Sequence, residues 1–483
     1  MRTISTSFAR RGVLITALFA GLVSGCGDFN VTDPNNPTLD DLVKHPTKAK
    51  LAVAATGLFI GARNDITSLI WRYGSLGREG ANLAGNNQPD YQEPFFGPLS
   101  TTQFGSAEWF SEFVNVRSIN TYVDAVPRAP DLTAAERAAS IGFAKTLEAL
   151  SLFYVIEGRG ALGAPVDVDR EVAAKPAPFV SEDSVYGFIL GQLDEANDSL
   201  ANAGTNFPFP MPPGFSGFDT PASYAKFNRA LAARAWLFRA TATPACGATC
   251  YNNALTALGA SFITSNSADF ATGAYFDFST NPGDVQNDLA DPLNGTTYFA
   301  FNLNVTDAQQ QVGGQPDQRI LDKTSFIDPN DSTVEYQLSG FPFPVNRKFT
   351  NYFTNGVVNP SAPIPIIRNE ELVLLRAEAN IGLNNFATAI TDLDLVRVNA
   401  GLLQPTTLTP ASSQAAFIDE LLYNRRYSLI WEQGARWVDA RRYNRLNTIP
   451  ILVPNGEVPS RMPIPADECA ARGLGTSCNP LGT

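Results

Sequence analysis

The sequence predicts a mainly α-helical fold, a scaffold of tetratricopeptide-like helical repeats that carries long, irregular, loop-rich insertions. Three observations support this class. Several long segments repeat apolar residues every three or four positions, two pairs of shorter segments of this kind are joined by turns, and two long stretches lose the helical period and contain many Asn, Gly, Pro and aromatic residues. With a hydrophobic content of 44%, 483 residues are enough for one elongated, continuous core.

Three long amphipathic helices are predicted over residues 108–126, 133–157 and 181–200. Ser181 begins the third segment, and its hydroxyl can accept a hydrogen bond from a backbone N–H of the first helical turn. Trp109, near the start of the first segment, is assigned to the core. These helices form the longest parts of the predicted scaffold.

Two pairs of segments predict helical hairpins. In the first pair, an apolar stripe over residues 227–238 is followed, after a turn with two cysteines, by a second stripe over residues 251–258. In the second pair, a stripe over residues 372–383 precedes the turn Asn384-Asn385 and a partner helix that begins at Phe386. Small residues that would let these helices approach closely are Ala377, Gly382, Ala387 and Ala389. This is the arrangement of a tetratricopeptide repeat, whose period is about 34 residues.

The two irregular excursions are residues 61–104 and 262–365. Long irregular segments on a rigid scaffold are where binding surfaces are commonly found. We interpret residues 41–483 as a single helical domain that carries both excursions.

Residues 1–25 are predicted to be a bacterial lipoprotein signal peptide. Arginines precede an apolar run that ends in VSGC, and an ordinary secretory signal would not need the cysteine, Cys26. We expect Cys26 to carry a covalent lipid and residues 26–40, which contain Pro, Asn and Asp but no apolar period, to form a tether. General secretion fits better than twin-arginine export, because the residues after the paired arginines match that motif poorly.

The charge argues against a nucleic-acid partner. The chain has a formal net charge of −12, and removal of the signal peptide takes away three arginines and no acid, which gives −15. Beyond residue 25, no apolar run approaches the roughly 18 residues that a membrane-spanning helix needs. We therefore expect contact with the membrane through the lipid alone.

The remaining four cysteines are predicted to form two local disulfides, Cys246 with Cys250 and Cys469 with Cys478, because each pair brackets a turn-rich segment. Four cysteines allow three connectivities. A zinc site is the competing interpretation, but His45 is the only histidine and the first pair lacks the usual CxxC spacing. We expect no metal and no cofactor other than the lipid.

Catalytic motifs are scarce. With one histidine, nucleophilic systems of the Ser/His/Asp or Cys/His type are nearly excluded, and the sequence contains no GxSxG, P-loop or GxGxxG motif. Carboxylate pairs could in principle hydrolyse glycosides, and 47 acidic residues provide many pairs whose separation the sequence does not define. We therefore expect a protein that is not an enzyme, with a surface glycosidase as the alternative.

The segment RRYSLIWEQGARWVDARRYNRL, residues 425–446, concentrates six arginines in an acidic chain. We interpret it as a structural network rather than a cationic ligand pocket. The spacing predicts an ion pair between Glu432 and Arg436 and a cation–π contact between Trp437 and Arg441 on one helix. Arg425 shares a face with apolar residues, and a buried arginine needs a carboxylate, for which Glu378 of the second hairpin is the candidate.

Six segments in order resemble the SusD/RagB family of outer-membrane lipoproteins. The clearest, NRRYSLIWEQGARWVDARRYNRL, resembles the family's C-terminal signature, although Asn424 and Ala435 stand where an acid and a histidine are common. The other segments are SIGFAKTLEALSLFYVIEGRGALGAPV, VSEDSVYGFILGQLDEANDSL, ALAARAWLFRA with CYNNALTALGASFI, IRNEELVLLRAEANIGLNNFATAITDLDLVRVNAGL, and RMPIPADE with a later NP. Together they span most of the chain.

The resemblance implies a SusD-like, lipid-anchored protein on the outer face of a Gram-negative outer membrane. Such a protein captures an oligomeric nutrient, most often a glycan, and delivers it to a SusC-like TonB-dependent transporter. Some relatives handle peptides, so a peptide ligand stays open. A purely structural lipoprotein is the remaining alternative.

The ligand site is predicted in the first excursion, because a sugar needs an exposed aromatic platform beside polar groups. That mixture is supplied by Trp71, Tyr73, Arg78, Asn82, Asn86, Asn87, Gln88, Asp90, Tyr91, Phe95 and Phe96. Tyr298, Tyr336 and Phe341 of the second excursion are expected to form the opposite wall.

Overall fold

Helices carry most of the fold, which confirms the predicted class. The computed structural model describes residues 39–170 and 174–482, so the signal peptide, the lipidation site Cys26 and most of the tether lie outside the described residues. The α-helices are, in chain order, α1 (Leu39–Lys44), α2 (Lys48–Arg63), α3 (Ile66–Leu76), α4 (Gln88–Phe96), α5 (Phe110–Ala125), α6 (Ala134–Arg159), α7 (Glu182–Ala201), α8 (Pro221–Ala240), α9 (Ala248–Gly259), α10 (Leu303–Thr306), α11 (Gln318–Lys323), α12 (Asn369–Gly382), α13 (Phe386–Asn399), α14 (Gln414–Ser428), α15 (Ala435–Arg442) and α16 (Ala466–Ala471).

The strands are short and antiparallel. They are β1 (Gly80–Asn82), β2 (Ala164–Pro165), β3 (Phe179–Val180), β4 (Gly273–Phe276), β5 (Tyr298–Ala300), β6 (Thr324–Phe326), β7 (Arg347–Phe349), β8 (Phe353–Thr354), β9 (Val357–Val358) and β10 (Ile364–Arg368). Four of them form one sheet in the order β1-β5-β7-β6, and the others pair as β4 with β10, β2 with β3 and β8 with β9. The four-stranded sheet joins the two excursions, because β1 comes from the first and the other three strands from the second.

Helix α6 is the central element of the scaffold. A capping box between Thr133 and Glu136 satisfies backbone groups at its start, and α5 and α7 pack along it. Within the described residues, the stretch Ala134–Leu162 is long and apolar enough to cross a membrane, but 89% of its most apolar window is buried inside the protein. Its apolarity is therefore that of a core helix.

The helical hairpins are present where the sequence predicts them. Helix α8 packs against α9, and α12 packs against α13. The two hairpins meet at Gly382, where an added Cβ would lie 2.4 Å from the Tyr251 ring. Gly382 therefore allows the two hairpins to approach each other closely. The sequence predicts instead that Gly382 lets the two helices of its own hairpin approach.

Both predicted disulfides are present, Cys246–Cys250 in the turn between α8 and α9 and Cys469–Cys478 near the C-terminus. The first closes the turn of a hairpin, and the second holds the end of the chain to α16. Among the described residues there is no cluster of three or more metal-binding side chains.

The prediction that residues 61–104 are irregular is wrong. This segment contains α3, β1 and α4. Helix α3 buries a stripe with helical spacing that includes Ile66, Leu69, Ile70 and Tyr73, so it packs like the scaffold helices. Residues 262–365 contain short strands and the short helices α10 and α11 between longer connections.

The C-terminal signature forms two helices instead of one. Helix α14 ends at Ser428, and α15 begins at Ala435, after Trp431 and Gly434 adopt positive φ angles of 57° and 62°. Trp431 stays in this left-handed conformation because its ring stacks on Phe349 with a centroid separation of 4.0 Å and its backbone N–H donates to Glu79 at 2.9 Å.

This break rearranges the predicted ion pairs. Glu432 binds Lys323 at 2.6 Å and Arg368 at 2.9 Å, so the predicted pair between Glu432 and Arg436 does not form. Arg425 is buried, as predicted, but its partner is Asp439 at 2.6 Å.

Glu378 pairs instead with the guanidinium of Arg442 and accepts a hydrogen bond of 2.8 Å from the Tyr443 hydroxyl. Arg441 lies over the Trp437 ring at 4.8 Å, within the same helix, as the spacing predicts. The segment therefore connects α8, α12 and the chain around β10 to α14 and α15.

Candidate ligand-binding site

Arg78 is a structural clamp rather than an exposed ligand-binding residue. Its side chain is fully buried, and its guanidinium donates hydrogen bonds to four backbone carbonyls, those of Ser75 (2.9 Å), Pro94 (2.8 Å), Pro450 (3.2 Å) and Glu457 (2.8 Å). It also lies 4.8 Å from the centre of the Phe95 ring. Arg78 thus fixes the end of α4 to the chain near the C-terminus.

The structure buries most of the predicted aromatic platform. Trp71 and Tyr73 belong to α3 and face the main core, where Tyr73 packs 5.1 Å from Trp437. Tyr298 is also in the main core, 6.0 Å from Trp431. The aromatic residues on α3 follow the helical stripe that packs the helix onto the scaffold, and this explains why they do not form an exposed surface.

A second hydrophobic core forms where the excursions meet. Tyr91 and Phe95 of α4 join Phe299, Phe301 and Phe341 of the second excursion. Phe95 is 5.4 Å from Phe341 and 5.8 Å from Phe301. The two excursions are therefore adjacent, as predicted, but these side chains make a packed core and not the two walls of an open cleft.

Polar side chains close the loop between β1 and α4. Asn82 and Asp90 are buried, and the Asn82 amide donates to Asp90 at 3.3 Å. Burial raises the pKa of Asp90. Asn86 and Asn87 lie between them and are exposed. Of the predicted residues in this loop, only these two asparagines and neighbouring Gln88 are directed to solvent.

The exposed part of the predicted site is small and rich in amides. Phe96 is 37% exposed, and Tyr336 is half-buried, with its ring stacked on Phe299 at 4.7 Å. Helix α4 and the segment around Tyr336 are neighbours, because the Gln92 amide donates to the Gly340 carbonyl at 3.5 Å. We call the following residues the amide surface: Asn86, Asn87, Gln88, Gln92, Phe96, Tyr336 and Gln337.

Four cavities open elsewhere on the described part of the chain. One of about 410 Å³ lies between α2 and residues 210–215 and is mainly apolar, with Phe59 and Met211 in its lining. A second, of about 420 Å³, lies between α14 and α15 and is charged. The third, about 520 Å³, lies beside β10, and the fourth, about 280 Å³, lies between α5 and α6.

Several buried carboxyl groups have altered acidity. Burial raises the pKa of Glu79 and Glu108 to about 7 and that of Glu157 to about 8. All three side chains are in the protein interior, and none lines one of the four cavities. These carboxyl groups therefore belong to the core and have no access to a ligand.

Residues 286–468 match the model of the SusD family. This region contains α12 to α15, the second hairpin and the arginine-rich signature. This part of the chain belongs to the SusD family. The match confirms the resemblance that the sequence segments indicate, although no curated protein sequence matches the chain.

Solved structures of SusD superfamily proteins share the fold of this chain. A SusD superfamily protein from Bacteroides vulgatus aligns with a TM-score of 0.65 and 14% identity over 88% of this chain and 97% of its own. NanU from B. fragilis aligns with a TM-score of 0.62 and 13% identity over 91% and 97% of the two chains. A SusD-like carbohydrate binding protein from Bacteroides fragilis aligns with a TM-score of 0.59 and 15% identity over 83% and 87%.

Sequence reasoning missed the residues that build the second core from the second excursion. Phe299, Phe301 and Val345 are buried there together with Leu83 and Val453. The short apolar run of Tyr298, Phe299, Ala300 and Phe301 was a visible strand signal. The pairing of this strand with β1 had no local signal, because the two strands are distant in sequence.

Proposed function

We propose that this SusD-family chain is a nutrient-binding lipoprotein of the cell surface that captures an oligosaccharide and delivers it to a SusC-like TonB-dependent transporter in the outer membrane. The observation that carries the proposal is the shared fold over nearly the full length of SusD superfamily proteins, one of which is described as a carbohydrate binding protein. The family match over residues 286–468 supports the same conclusion.

The amide surface is the proposed contact for neutral sugar residues. Phe96 and Tyr336 offer partly exposed rings for the apolar C–H face of a sugar, and the amides of Asn86, Asn87 and Gln92 can donate to and accept from hydroxyl groups. The second core holds this surface rigid from below, which limits the entropy lost on binding.

The N-terminal sequence supports the location. A lipid on Cys26 would hold the protein at the membrane, and the following residues would give the domain freedom to move over a transporter. The helical hairpins provide an extended face of the kind that repeat proteins use to bind large partners. A peptide ligand is the second candidate in this class, and no specific contact in the structure favours it over a glycan.

Ligand capture is tested by isothermal titration calorimetry with a panel of oligosaccharides. We expect Phe96→Ala combined with Tyr336→Ala to weaken binding about tenfold or more, because both stacking rings are removed. Phe110→Ala is the matched control, since Phe110 is 46% exposed on a different helix. Unchanged affinity in the double variant, with the circular dichroism spectrum intact, would show that the amide surface does not hold the ligand.

The membrane partner is tested by purification from native membranes in mild detergent. We expect a large β-barrel protein to accompany the chain. We also expect Cys26→Ala to abolish incorporation of labelled fatty acid and to release the protein from the membrane fraction. The proposal is contradicted if the chain purifies without a β-barrel partner under mild conditions, or if the Cys26→Ala variant still incorporates labelled fatty acid.

A further inference from the structure

The charged cavity between α14 and α15 has an unusual arginine. Its volume is about 420 Å³, and its lining includes Arg426, Arg436 and Arg445 together with Tyr423 and Thr448. We call this cavity the arginine pocket. It is separate from the amide surface, with which it shares no residue.

Each acid that lines the arginine pocket is already paired. The ion pairs are Arg425–Asp439 at 2.6 Å, Arg442–Asp439 at 3.0 Å, Arg426–Asp307 at 3.1 Å and Arg445–Asp419 at 3.1 Å. Arg425 and Arg442 lie behind the pocket wall, so Asp439 is neutralised from the protein interior. No carboxylate on the wall is left over for Arg436.

Arg436 is the cation without a partner. Among the described residues, no carboxylate lies within ion-pair distance of its guanidinium, whose one hydrogen bond is a long contact of 3.5 Å to the Arg78 carbonyl. Burial and the nearby charge of Arg426 lower the pKa of Arg436 to about 9.

Glu79 is a buried acid whose charge acts on Arg436. One of its oxygens accepts from the Trp431 backbone, the other has no hydrogen-bond partner, and burial raises its pKa to about 7. Glu79 is therefore a weak counter-ion. A half-buried guanidinium left in this state is costly unless a ligand supplies an anion.

We infer that the arginine pocket binds the carboxylate of an acidic sugar, so that the captured oligosaccharide carries uronic acid residues. This inference rests on the proposed function. A planar carboxylate can accept two parallel hydrogen bonds from one guanidinium, and the half-buried ring of Tyr423 and the hydroxyl of Thr448 complete a wall for a sugar ring. The volume lies within the range of small-ligand sites.

The donors favour a sugar acid over a peptide terminus. Capture of a peptide C-terminus commonly uses a nest of backbone N–H groups. In the arginine pocket the donors are side-chain guanidinium groups spread over α14, α15 and the following turn. Such an arrangement suits a ligand whose carboxylate projects from a sugar ring.

Calorimetry on the full chain in detergent tests the inference with tri-galacturonic acid and its carboxyl-reduced counterpart. We expect the acid to bind about tenfold or more tightly than the reduced trisaccharide, the magnitude of a charge-assisted hydrogen bond. Arg436→Gln should remove this preference and leave the affinity for the reduced sugar unchanged. Arg128→Gln, at an exposed arginine far along the chain, is the matched control.

A second substitution, at Thr448, keeps the inference testable if Arg436→Gln does not fold. Thr448 is exposed at the rim of the pocket, so Thr448→Glu should fold normally and repel the acidic sugar, whereas Thr448→Gln should bind it as the unmodified chain does.

The possible contrary results are distinct. Equal affinity for the acidic and reduced sugars, or full acid preference in both Arg436→Gln and Thr448→Glu, overturns the inference and leaves the proposed function intact. Preference for a peptide with a free C-terminus over its amide overturns the assignment to a sugar. Binding of no glycan by the unmodified chain contradicts the proposed function itself.

Discussion

Two kinds of buried arginine, one between scaffold helices and one beside the second core, are held in different ways. Between scaffold helices, Arg234 faces Glu371 at 2.6 Å and Arg425 faces Asp439 at 2.6 Å. Beside the second core, Arg78 faces only backbone carbonyls. These helix contacts therefore depend on charge balance, whereas the end of α4 depends on a cation that holds loop backbone in place.

This comparison predicts the largest loss of stability in the scaffold. Arg442→Met would leave the fully buried Glu378 without its cation, and we expect the free energy of unfolding to fall by about 3–5 kcal/mol. Urea unfolding measures the change. Arg445→Gln, at a partly exposed arginine of the same segment, should cost less than about 1 kcal/mol. Equal losses in the two variants would show that charge balance does not distinguish these sites.

Removal of the clamp should have a smaller and more local effect. Arg78→Met leaves neutral carbonyl groups without donors, and we expect a loss of roughly 2–3 kcal/mol. Hydrogen exchange should accelerate in α4 and near Glu457, and remain slow in α12 and α13. Uniform acceleration across the chain would mean that the clamp stabilises the whole protein and not the second core.

The buried acid Glu157 of the scaffold helix α6 gives the stability a pH dependence whose size per pH unit is the smallest of these effects. The pKa of Glu157 is raised from 4.5 to about 8 by burial, so the folded state holds a proton that the unfolded state releases above pH 4.5. The stability from this group is complete below pH 4.5 and is lost as pH rises toward 8, by on the order of 1 kcal/mol per pH unit. Glu157→Gln should flatten this decline in urea unfolding, and an unchanged slope would contradict it.

Local patterns predicted the scaffold well. The α12–α13 hairpin and the cap at Ser181, whose hydroxyl accepts from the Ser184 backbone at 3.3 Å, depend on contacts within a few turns of helix. The same kind of pattern was present in α3, where the spacing of Ile66, Leu69, Ile70 and Tyr73 is helical. The aromatic content of that segment nevertheless favours an exposed ligand-binding loop, and the helical spacing of its apolar residues is the pattern that the structure follows.

Other features depend on distant contacts that a local pattern does not contain. The break at Trp431 follows from stacking on Phe349 and a hydrogen bond from the Trp431 backbone N–H to Glu79, and without these a continuous helix through Glu432 and Arg436 was the reasonable expectation. The burial of Phe95 similarly requires Phe341 from the other excursion. The meeting of the two excursions was therefore predicted, while the exposure of their individual side chains was not.

The pairing of β1 with β5 has a consequence for the order of folding. Gly80 pairs with Ala300 across more than two hundred residues, whereas each scaffold hairpin closes over a few residues of turn. Closing the long loop costs more chain entropy and is slower than local helix pairing. We expect the hairpins to form early and the second core to assemble last. An incompletely folded molecule would then have a helical scaffold before it has the proposed ligand-binding surface.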